Sequence, residues 1–154
     1  MKHLKIGDKA PDFTAKNQDG ETINLADFKG KKLVLFFYPK ASTPGCTNEA
    51  KNLRDFYTEF KEKGFEILGV SADSEKRQKN FCTKNELPYS LLVDEDKKIL
   101  NDYGVWGLKK FMGREYDGIH RMTFVIDEKG IIENIIEKVK TKYHAEQIFD
   151  FYKN

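Results

Sequence analysis

The feature that most restricts the fold is an uninterrupted run of apolar and aromatic residues, "LVLFFY" at 33–38, which Pro39 closes. A strand that is hydrophobic at every position has to be covered on both faces of its sheet. The segments "FEILGVSA" at 65–72 and "MTFVID" at 122–127 have the same character. The sequence therefore predicts a central sheet with buried strands and helices packed against it.

The segment between the first two runs predicts a helix. Its apolar residues Ala50, Leu53, Tyr57 and Phe60 recur at spacings of three and four, and the pattern ends before Gly64. A strand, a helix and a second strand in this order form a βαβ unit, the building block of α/β proteins.

Helices and strands continue to alternate along the chain, with hairpins at both ends of the pattern. The other predicted elements are a hairpin around "NQDG" at 17–20, a helix capped by Asp73 or Ser74 that stops before Pro88, a strand at 90–94, a hairpin through "DEKG" at 127–130 and an amphipathic helix at 142–153. This order predicts an α/β fold in which a mixed sheet is flanked by helices.

Length and charge limit the possible partners. A chain of 154 residues can form one hydrophobic core without metals or disulfides, and no linker interrupts it, so we expect a single domain over residues 1–154. The 27 basic and 25 acidic side chains are mixed along the sequence, which excludes a basic stripe for nucleic acid or anionic lipid.

No apolar stretch approaches the roughly 20 residues of a membrane span, and the N-terminal segment lacks an apolar signal region. We expect a cytoplasmic protein.

The chain has two cysteines, Cys46 and Cys82, which do not form a CxxC pair. A reducing compartment keeps such residues as thiols at rest, so a disulfide between them would be transient rather than structural. The three histidines, His3, His120 and His144, show no spacing of paired metal ligands, and we predict no metal site and surface or satisfied roles for them.

Cys46 lies in the predicted first turn of the first helix. Thr43 suits the N-cap, Pro44 the first helical position, and Gly45 then precedes the cysteine. Unpaired N–H groups and the helix dipole favour a thiolate there, and the sulfur should be half shielded from water. A passive buried cysteine explains the position as well. The rigid loop from Pro39 to Gly45 favours a functional site, because such loops often carry one.

The segment "FFYPKASTPGCTNEA" at 36–50 resembles the active-site segment of the peroxiredoxins. Pro39, Thr43 and Cys46 match the P-x-x-x-T-x-x-C pattern of that family. Glu49 matches the acidic residue that usually follows three positions after the cysteine.

The resemblance is strongest to the Q-type branch, also called bacterioferritin comigratory proteins, and it covers nearly the whole chain. "GDKAPDFTAKNQDGETINLADFKGK" at 7–31 and "GVWGLKKFMGREYDGIHRMTFVIDEKG" at 104–130 also match. The resemblance implies a thioredoxin-like fold with an N-terminal β-hairpin. It also implies the reduction of hydrogen peroxide and organic hydroperoxides to water and alcohols. It further implies no bound cofactor, a thioredoxin-like reductant and a monomer.

The same resemblance assigns a role to each site residue. Cys46 is the attacking thiolate, Thr43 hydrogen-bonds the peroxide, and Pro39 shields the sulfur from water. Arg121, which opens the run at 122–127, completes the pocket, and Glu49 holds that arginine. A planar, permanently charged guanidinium suits such a place better than a lysine does.

Cys82 is the one candidate for a second, resolving thiol. Many Q-type members carry that cysteine five positions after the first, but Lys51 stands there in this chain. Other members place it on the following helix, as Cys82 is. The helix at 74–86 contains only Phe81 and Cys82 as apolar residues, so we expect it to be weakly anchored and to loosen easily. The alternative is a passive Cys82, with an external thiol resolving Cys46.

Two other functions remain open. A general thiol–disulfide oxidoreductase is disfavoured because CxxC is absent, and a redox-sensing or chaperone-like binding protein would be oxidised without turning over. Three further apolar residues have two possible roles. They line the peroxide entrance or a docking face for the reductant, or they pack against the rest of the protein without a functional role; they are Trp106, Phe111 and Met112.

Overall fold

The computed structural model describes residues 3–153. Its helices and strands follow the predicted alternation. In chain order they are β1 (Thr14–Lys16), β2 (Thr22–Asn24), a short 3-10 helix (Leu25–Phe28), β3 (Lys32–Phe37), α1 (Pro44–Asp55), α2 (Tyr57–Glu62), β4 (Phe65–Ser71), α3 (Glu75–Lys84), β5 (Ser90–Val93), α4 (Lys98–Asp102), β6 (Trp106–Phe111), β7 (Arg114–Ile119), β8 (Met122–Ile126), β9 (Ile132–Ile136) and α5 (His144–Asp150).

The central sheet has five strands in the order β5-β4-β3-β8-β9. Strands β3, β4 and β5 are parallel, whereas β8 runs antiparallel to both of its neighbours, β3 and β9. Strands β1 and β2 form the predicted N-terminal hairpin. The predicted mixed sheet with flanking helices is therefore confirmed.

Side chains of the central strand β3 alternate between two hydrophobic clusters. Val34 and Phe36 face a cluster that α1, α2, α3 and α5 cover, and Leu33, Leu35 and Phe37 face a second cluster under α4 and the N-terminal segment. All five side chains are buried, which explains why the run is hydrophobic at every position. Within residues 3–153 no helix has both the length and the apolar character needed to cross a bilayer.

The prediction of one helix between β3 and β4 is wrong in one respect, because the helical segment is broken at Phe56. This residue has φ of −107° and ψ of 10°, and it separates α1 from α2. The break lets two aromatic rings contact one partner: Phe60 stacks on Phe149 with centroids 4.4 Å apart, and Phe56 meets the same ring at 6.0 Å. Apolar spacing alone does not show such a break, since both halves keep their buried side chains.

The hairpin of β6 and β7 was not predicted. Phe111 pairs with Arg114, so Met112 and Gly113 form a two-residue turn in which both residues have positive φ. Gly113 fits this turn, but methionine rarely occupies such a conformation, and the usual sequence signal is therefore missing. Phe111 and Met112 are 64% and 84% exposed at its tip, so packing does not account for them.

Asp73 joins two loops at the carboxyl edge of the sheet. Its Oδ2 accepts hydrogen bonds from Ala41 N at 2.8 Å and from Ser71 Oγ at 2.7 Å. Ala41 belongs to the loop before α1, and Asp73 directly precedes Ser74, which caps α3 through a bond from Arg77 N. The starts of α1 and α3 are thus fastened to one carboxylate.

Candidate active site

Cys46 lies in the first turn of α1, where the sequence predicts it. Thr43 occupies the N-cap position and Pro44 the first helical position. The Cys46 side chain is 1% exposed, so it is buried rather than half shielded, and it contacts the cluster that covers Val34 and Phe36. The thiol therefore meets the positive end of a helix inside the protein.

Thr43 does not cap this helix with its side chain. Its hydroxyl donates to the carbonyl of Lys40 at 2.8 Å, and no cap bond from α1 reaches the Thr43 oxygen. Because a hydroxyl has one proton, Thr43 is left as an acceptor toward anything bound beside it. The residue is half-buried, as is Pro39, which follows the end of β3.

Arg121 connects Cys46 to Glu49. Its Nη2 lies 3.4 Å from Cys46 Sγ, and its Nη1 donates to Glu49 Oε1 at 2.7 Å. The antiparallel register that pairs Phe37 with Met122 brings Arg121 to the end of β3, where the chain enters the Cys46 loop. A side chain at Gly45 would crowd this contact, since a Cβ there would lie 3.2 Å from Arg121 Nη2. The structure thus brings Arg121 to two residues of α1 that lie 72 and 75 positions before it in the sequence.

The guanidinium stays charged in this site. Burial works against the charge, but the carboxylate of Glu49 and then the Cys46 sulfur outweigh it and raise the pKa of Arg121. A fixed positive charge next to a sulfur and a helix N-terminus can stabilise a thiolate and any negative oxygen that forms beside it.

Cys82 is half-buried on α3 and borders the same hydrophobic cluster as Cys46. Its Sγ contacts the carbonyl of Leu87 at 3.3 Å, and both cysteines are free thiols. Burial raises the pKa of the Cys82 thiol, and the negative charge of Asp19 adds to this rise. Cys82 is therefore a protonated thiol at rest.

The helix that carries Cys82 is held more firmly than its apolar residues predict. Gln78 is fully buried, its Nε2 donates to the carbonyl of Leu92 at 2.9 Å, and its Oε1 accepts a bond from the Tyr38 hydroxyl. Phe81 contacts the Tyr38 ring with centroids 5.7 Å apart. The prediction of weak anchoring overlooked Gln78, because a count of apolar residues leaves out a buried amide.

His144 is a residue of the site that the sequence did not reveal. It opens α5, is fully buried, and its Nε2 lies 3.5 Å from Glu49 Oε2 and 2.7 Å from Thr123 Oγ1. Burial lowers the pKa of His144 to about 4 and raises the pKa of Glu49 to about 7, the latter against the opposing charge of Arg121. Between these two pKa values the pair holds one proton, which is on Glu49.

This arrangement predicts how stability depends on pH. Between pH 4.5 and 6.5, the ordinary pKa values of the two groups, the unfolded chain carries one proton on His144, and the folded protein carries one on Glu49, so the pair adds no slope. In a His144→Leu variant the folded protein keeps the Glu49 proton, whereas the unfolded chain binds none. The free energy of unfolding of this variant should fall by about 1.4 kcal/mol per pH unit relative to wild type as pH rises.

Urea unfolding of both proteins at several pH values in this interval measures the difference. A His3→Leu variant, altered at an exposed histidine, serves as the control and should run parallel to wild type. Parallel curves for His144→Leu and wild type would contradict the shared proton.

Among residues 3–153, no group of three or more His, Cys, Asp or Glu side chains could hold a metal ion. What the site offers is a buried thiol, a guanidinium aimed at it and the N–H groups of a helix start. This set can stabilise a nucleophilic sulfur and a developing negative charge on a bound oxygen.

The comparisons with known proteins agree with this chemistry. The AhpC/TSA family matches residues 6–135. Peroxiredoxin Bcp of Escherichia coli (strain K12) is 46% identical over 153 residues, which are 99% of this chain and 98% of that protein. Peroxiredoxin Bcp of Bacillus subtilis (strain 168) is 46% identical over 151 residues, 98% and 96% of the two chains.

Similar solved structures belong to the same group. A cysteine-to-serine variant of PrxQ from Xylella fastidiosa superposes with a TM-score of 0.92 at 29% identity, covering 99% of this chain and 97% of the other. Peroxiredoxin Q of Xanthomonas campestris has a TM-score of 0.85 at 34% identity, covering 90% and 88%, and serine variants of two different cysteines of it are also similar. A structure of the Xanthomonas campestris bacterioferritin comigratory protein, concerned with alkyl peroxide reduction, has a TM-score of 0.85 at 33% identity, covering 90% and 88%. The chain therefore belongs to the AhpC/TSA family and is a thiol peroxidase of its Bcp/PrxQ peroxiredoxins.

Proposed function

We propose that this peroxiredoxin reduces hydrogen peroxide and organic hydroperoxides through Cys46, passes through an intramolecular Cys46–Cys82 disulfide, and is regenerated by a thioredoxin-like dithiol. The observation that carries the proposal is the guanidinium of Arg121, which contacts both Cys46 Sγ and Glu49 Oε1. A passive buried cysteine would need no such charged partner in its contact shell.

In the first step the Cys46 thiolate attacks one oxygen of the peroxide. An S–O bond forms, the O–O bond breaks, and the electron pair passes to the departing oxygen, which takes a proton and leaves as water or an alcohol. Sulfur is oxidised to a sulfenic acid and the peroxide is reduced. Arg121 and the first N–H groups of α1 stabilise the negative charge on the departing oxygen, while Thr43 accepts a hydrogen bond from the peroxide hydroxyl.

Pro39 has a different part in this step. It closes β3 and is half-buried beside the Cys46 loop, so its ring excludes water from one side of the sulfur. A dry site strengthens the attraction between the thiolate and Arg121.

In the second step the Cys82 sulfur attacks the sulfenic sulfur of Cys46, and water leaves as the disulfide forms. Three points support Cys82 in this role. Cys82 borders the same hydrophobic cluster as Cys46. The position five residues after Cys46, where other Q-type members carry the second cysteine, is occupied by Lys51. The two cysteines replaced in the Xanthomonas campestris variants have the same separation as Cys46 and Cys82. Because a disulfide needs Cα atoms within about 7 Å, the first turn of α1, which carries Cys46, and the last turn of α3, which carries Cys82, have to come within that reach when it forms.

A reduced dithiol then attacks the disulfide, restores both thiols and leaves as a disulfide itself. We assign this role to a thioredoxin-like protein, the reductant type of the family. We further infer that the chain works as a single domain over residues 1–154 in the cytoplasm, where such a reductant keeps cysteines reduced.

The decisive experiment uses the Cys82→Ser variant with two reductants. Peroxide reduction driven by thioredoxin should fall by at least about tenfold, because no disulfide forms for thioredoxin to attack. Reduction driven by a small thiol such as dithiothreitol should persist, since a small thiol can reach the sulfenic acid directly. Peptide mapping by mass spectrometry of the wild type after one equivalent of peroxide should show Cys46 linked to Cys82.

Two results would contradict the cycle. Full thioredoxin-driven activity of Cys82→Ser would leave a mechanism with one thiol, and a mapped disulfide between two chains would exclude an intramolecular cycle. Slow oxidation of Cys46 in the wild type without turnover would instead favour a redox sensor.

A further inference from the structure

A buried polar cluster lies behind Arg121, on the side away from Cys46. Glu49 Oε1 accepts a hydrogen bond from Arg121 Nη1. The other carboxylate oxygen, Oε2, has no hydrogen-bond partner of good geometry among residues 3–153. Nε2 of His144 lies 3.5 Å from Oε2. Both side chains are fully buried, so a buried polar atom such as Oε2 is expected to have a partner inside the protein.

The neighbours of His144 decide which of its nitrogens carries hydrogen. Gln147 Nε2 donates to the carbonyl of Lys138 at 3.0 Å, and Gln147 Oε1 accepts from Lys140 N at 2.8 Å, which fixes the amide. The atom that meets His144 Nδ1, at 2.9 Å, is therefore the oxygen Oε1. Since an oxygen of an amide only accepts, Nδ1 is the donor and carries a hydrogen.

The other nitrogen then faces Glu49. In neutral His144 the Nε2 atom bears a single lone pair, and it faces both Thr123 Oγ1 at 2.7 Å and Glu49 Oε2 at 3.5 Å. With Glu49 ionised, two acceptors, Nε2 and Glu49 Oε2, would then face each other in a fully buried site. One proton between them removes this conflict, whichever of the two atoms carries it.

We propose that His144 is a positioning residue of the peroxidase site: by sharing a proton with Glu49 Oε2 it fixes the plane of that carboxylate, and through it the orientation of Arg121 on Cys46. The inference rests on the peroxidase function proposed above. Without His144 the Glu49 carboxylate would be held by Arg121 at one oxygen only and could turn about its last torsion. Arg121 would then lose its fixed distance from the sulfur.

The frame around this contact is rigid. Asn52, one turn after Glu49 on α1, accepts from Ala145 N at 2.6 Å and donates to Glu146 Oε1 at 3.1 Å. The helix that carries Cys46 and Glu49 is thus fastened to the first turn of α5, which carries His144. This geometry suits a residue whose task is to hold another in place.

The test compares His144→Asn with His144→Gln. The asparagine amide can replace Nδ1 but is too short to reach Glu49, whereas the glutamine amide can extend to Oε2 and donate to it. We expect His144→Asn to lower the second-order rate constant for peroxide by about 10- to 100-fold, because a shifted Arg121 no longer meets the reacting oxygen. His144→Gln should stay within a few-fold of wild type, and His3→Asn, at an exposed histidine, should be unchanged.

A second measurement does not depend on peroxide. The rate at which iodoacetamide alkylates Cys46, measured in the Cys82→Ser background, reports how well Arg121 holds the thiolate. It should fall in His144→Asn and recover in His144→Gln, even if the protein proves to have no peroxidase activity. Failure of the proposed function would thus show as an inactive wild type, and failure of the present inference as equal rates for the two variants.

Thermal unfolding shows whether each variant is folded. If His144→Asn does not fold, Gln147→Leu replaces it, because loss of Gln147 frees the His144 tautomer and should lower both rates several-fold in the same direction. Equal rates in His144→Asn and His144→Gln, or unchanged rates in Gln147→Leu, would overturn the proposal.

Discussion

Replacement of Cys46 by serine is expected to abolish peroxide reduction, with a loss of more than about 10⁴-fold to the level of the uncatalysed reaction. A serine hydroxyl is not ionised at neutral pH, and Arg121 cannot make it so. The variant keeps the shape of the buried side chain, so the fold should persist. Consumption of hydrogen peroxide with thioredoxin as reductant measures the effect.

The matched control is Cys82→Ser, which carries the same change on the other cysteine and should retain activity with dithiothreitol. Turnover by Cys46→Ser at a measurable fraction of the wild-type rate would show that the reacting group lies elsewhere. Thermal unfolding of both variants separates a chemical loss from a loss of structure.

The second large effect is expected for Arg121→Ala, which should lower the rate constant for peroxide by about 10²- to 10³-fold. An ordinary cysteine is about 3% ionised at pH 7, so a larger thiolate population alone can raise the rate by only about 30-fold. The remaining loss reflects the negative charge on the departing oxygen, which Arg121 no longer meets. Arg121→Lys should recover only part of the rate, because one ammonium group cannot hold both Cys46 and Glu49 as the guanidinium does.

Iodoacetamide provides the reference for this prediction. Its reaction with Cys46 depends on the thiolate but involves no O–O bond, so Arg121→Ala should slow alkylation less than it slows the reaction with peroxide. Equal losses with both reagents would mean that Arg121 acts on the thiolate population alone, and its role in the transition state would have to be abandoned.

The sequence predicts the fold well wherever burial dictates the residue type. Residues 33–37 of β3 are all hydrophobic because both faces of the strand are covered, and this pattern is visible without a structure. The break at Phe56 is not visible, since apolar residues continue at helical spacing on both sides of it. The hairpin with Met112 at its turn is missed for a related reason, because its strands are exposed and carry no burial pattern.

The site is predictable in part. The position of Cys46 in a first helical turn follows from Thr43 and Pro44, which are local signals. The contact of Arg121 with the sulfur depends on strand pairing over a long sequence separation, so the residues alone only suggest it and the family resemblance is needed. His144 gives no signal at all, because a histidine that opens a short helix looks the same whether it is buried or exposed.

Asp73 has a consequence for the timing of the rearrangement that links the cysteines. Since one oxygen holds both the loop before α1 and the loop before α3, either segment that detaches removes a contact of the other. We therefore expect the two segments to open as one cooperative unit rather than in independent steps. States in which only the Cys46 loop has opened are thereby made scarce, and these are the states in which a sulfenic acid stands exposed to a second peroxide without a thiol to capture it. We therefore expect this single, largely buried carboxylate to lower the irreversible oxidation of Cys46 by peroxide.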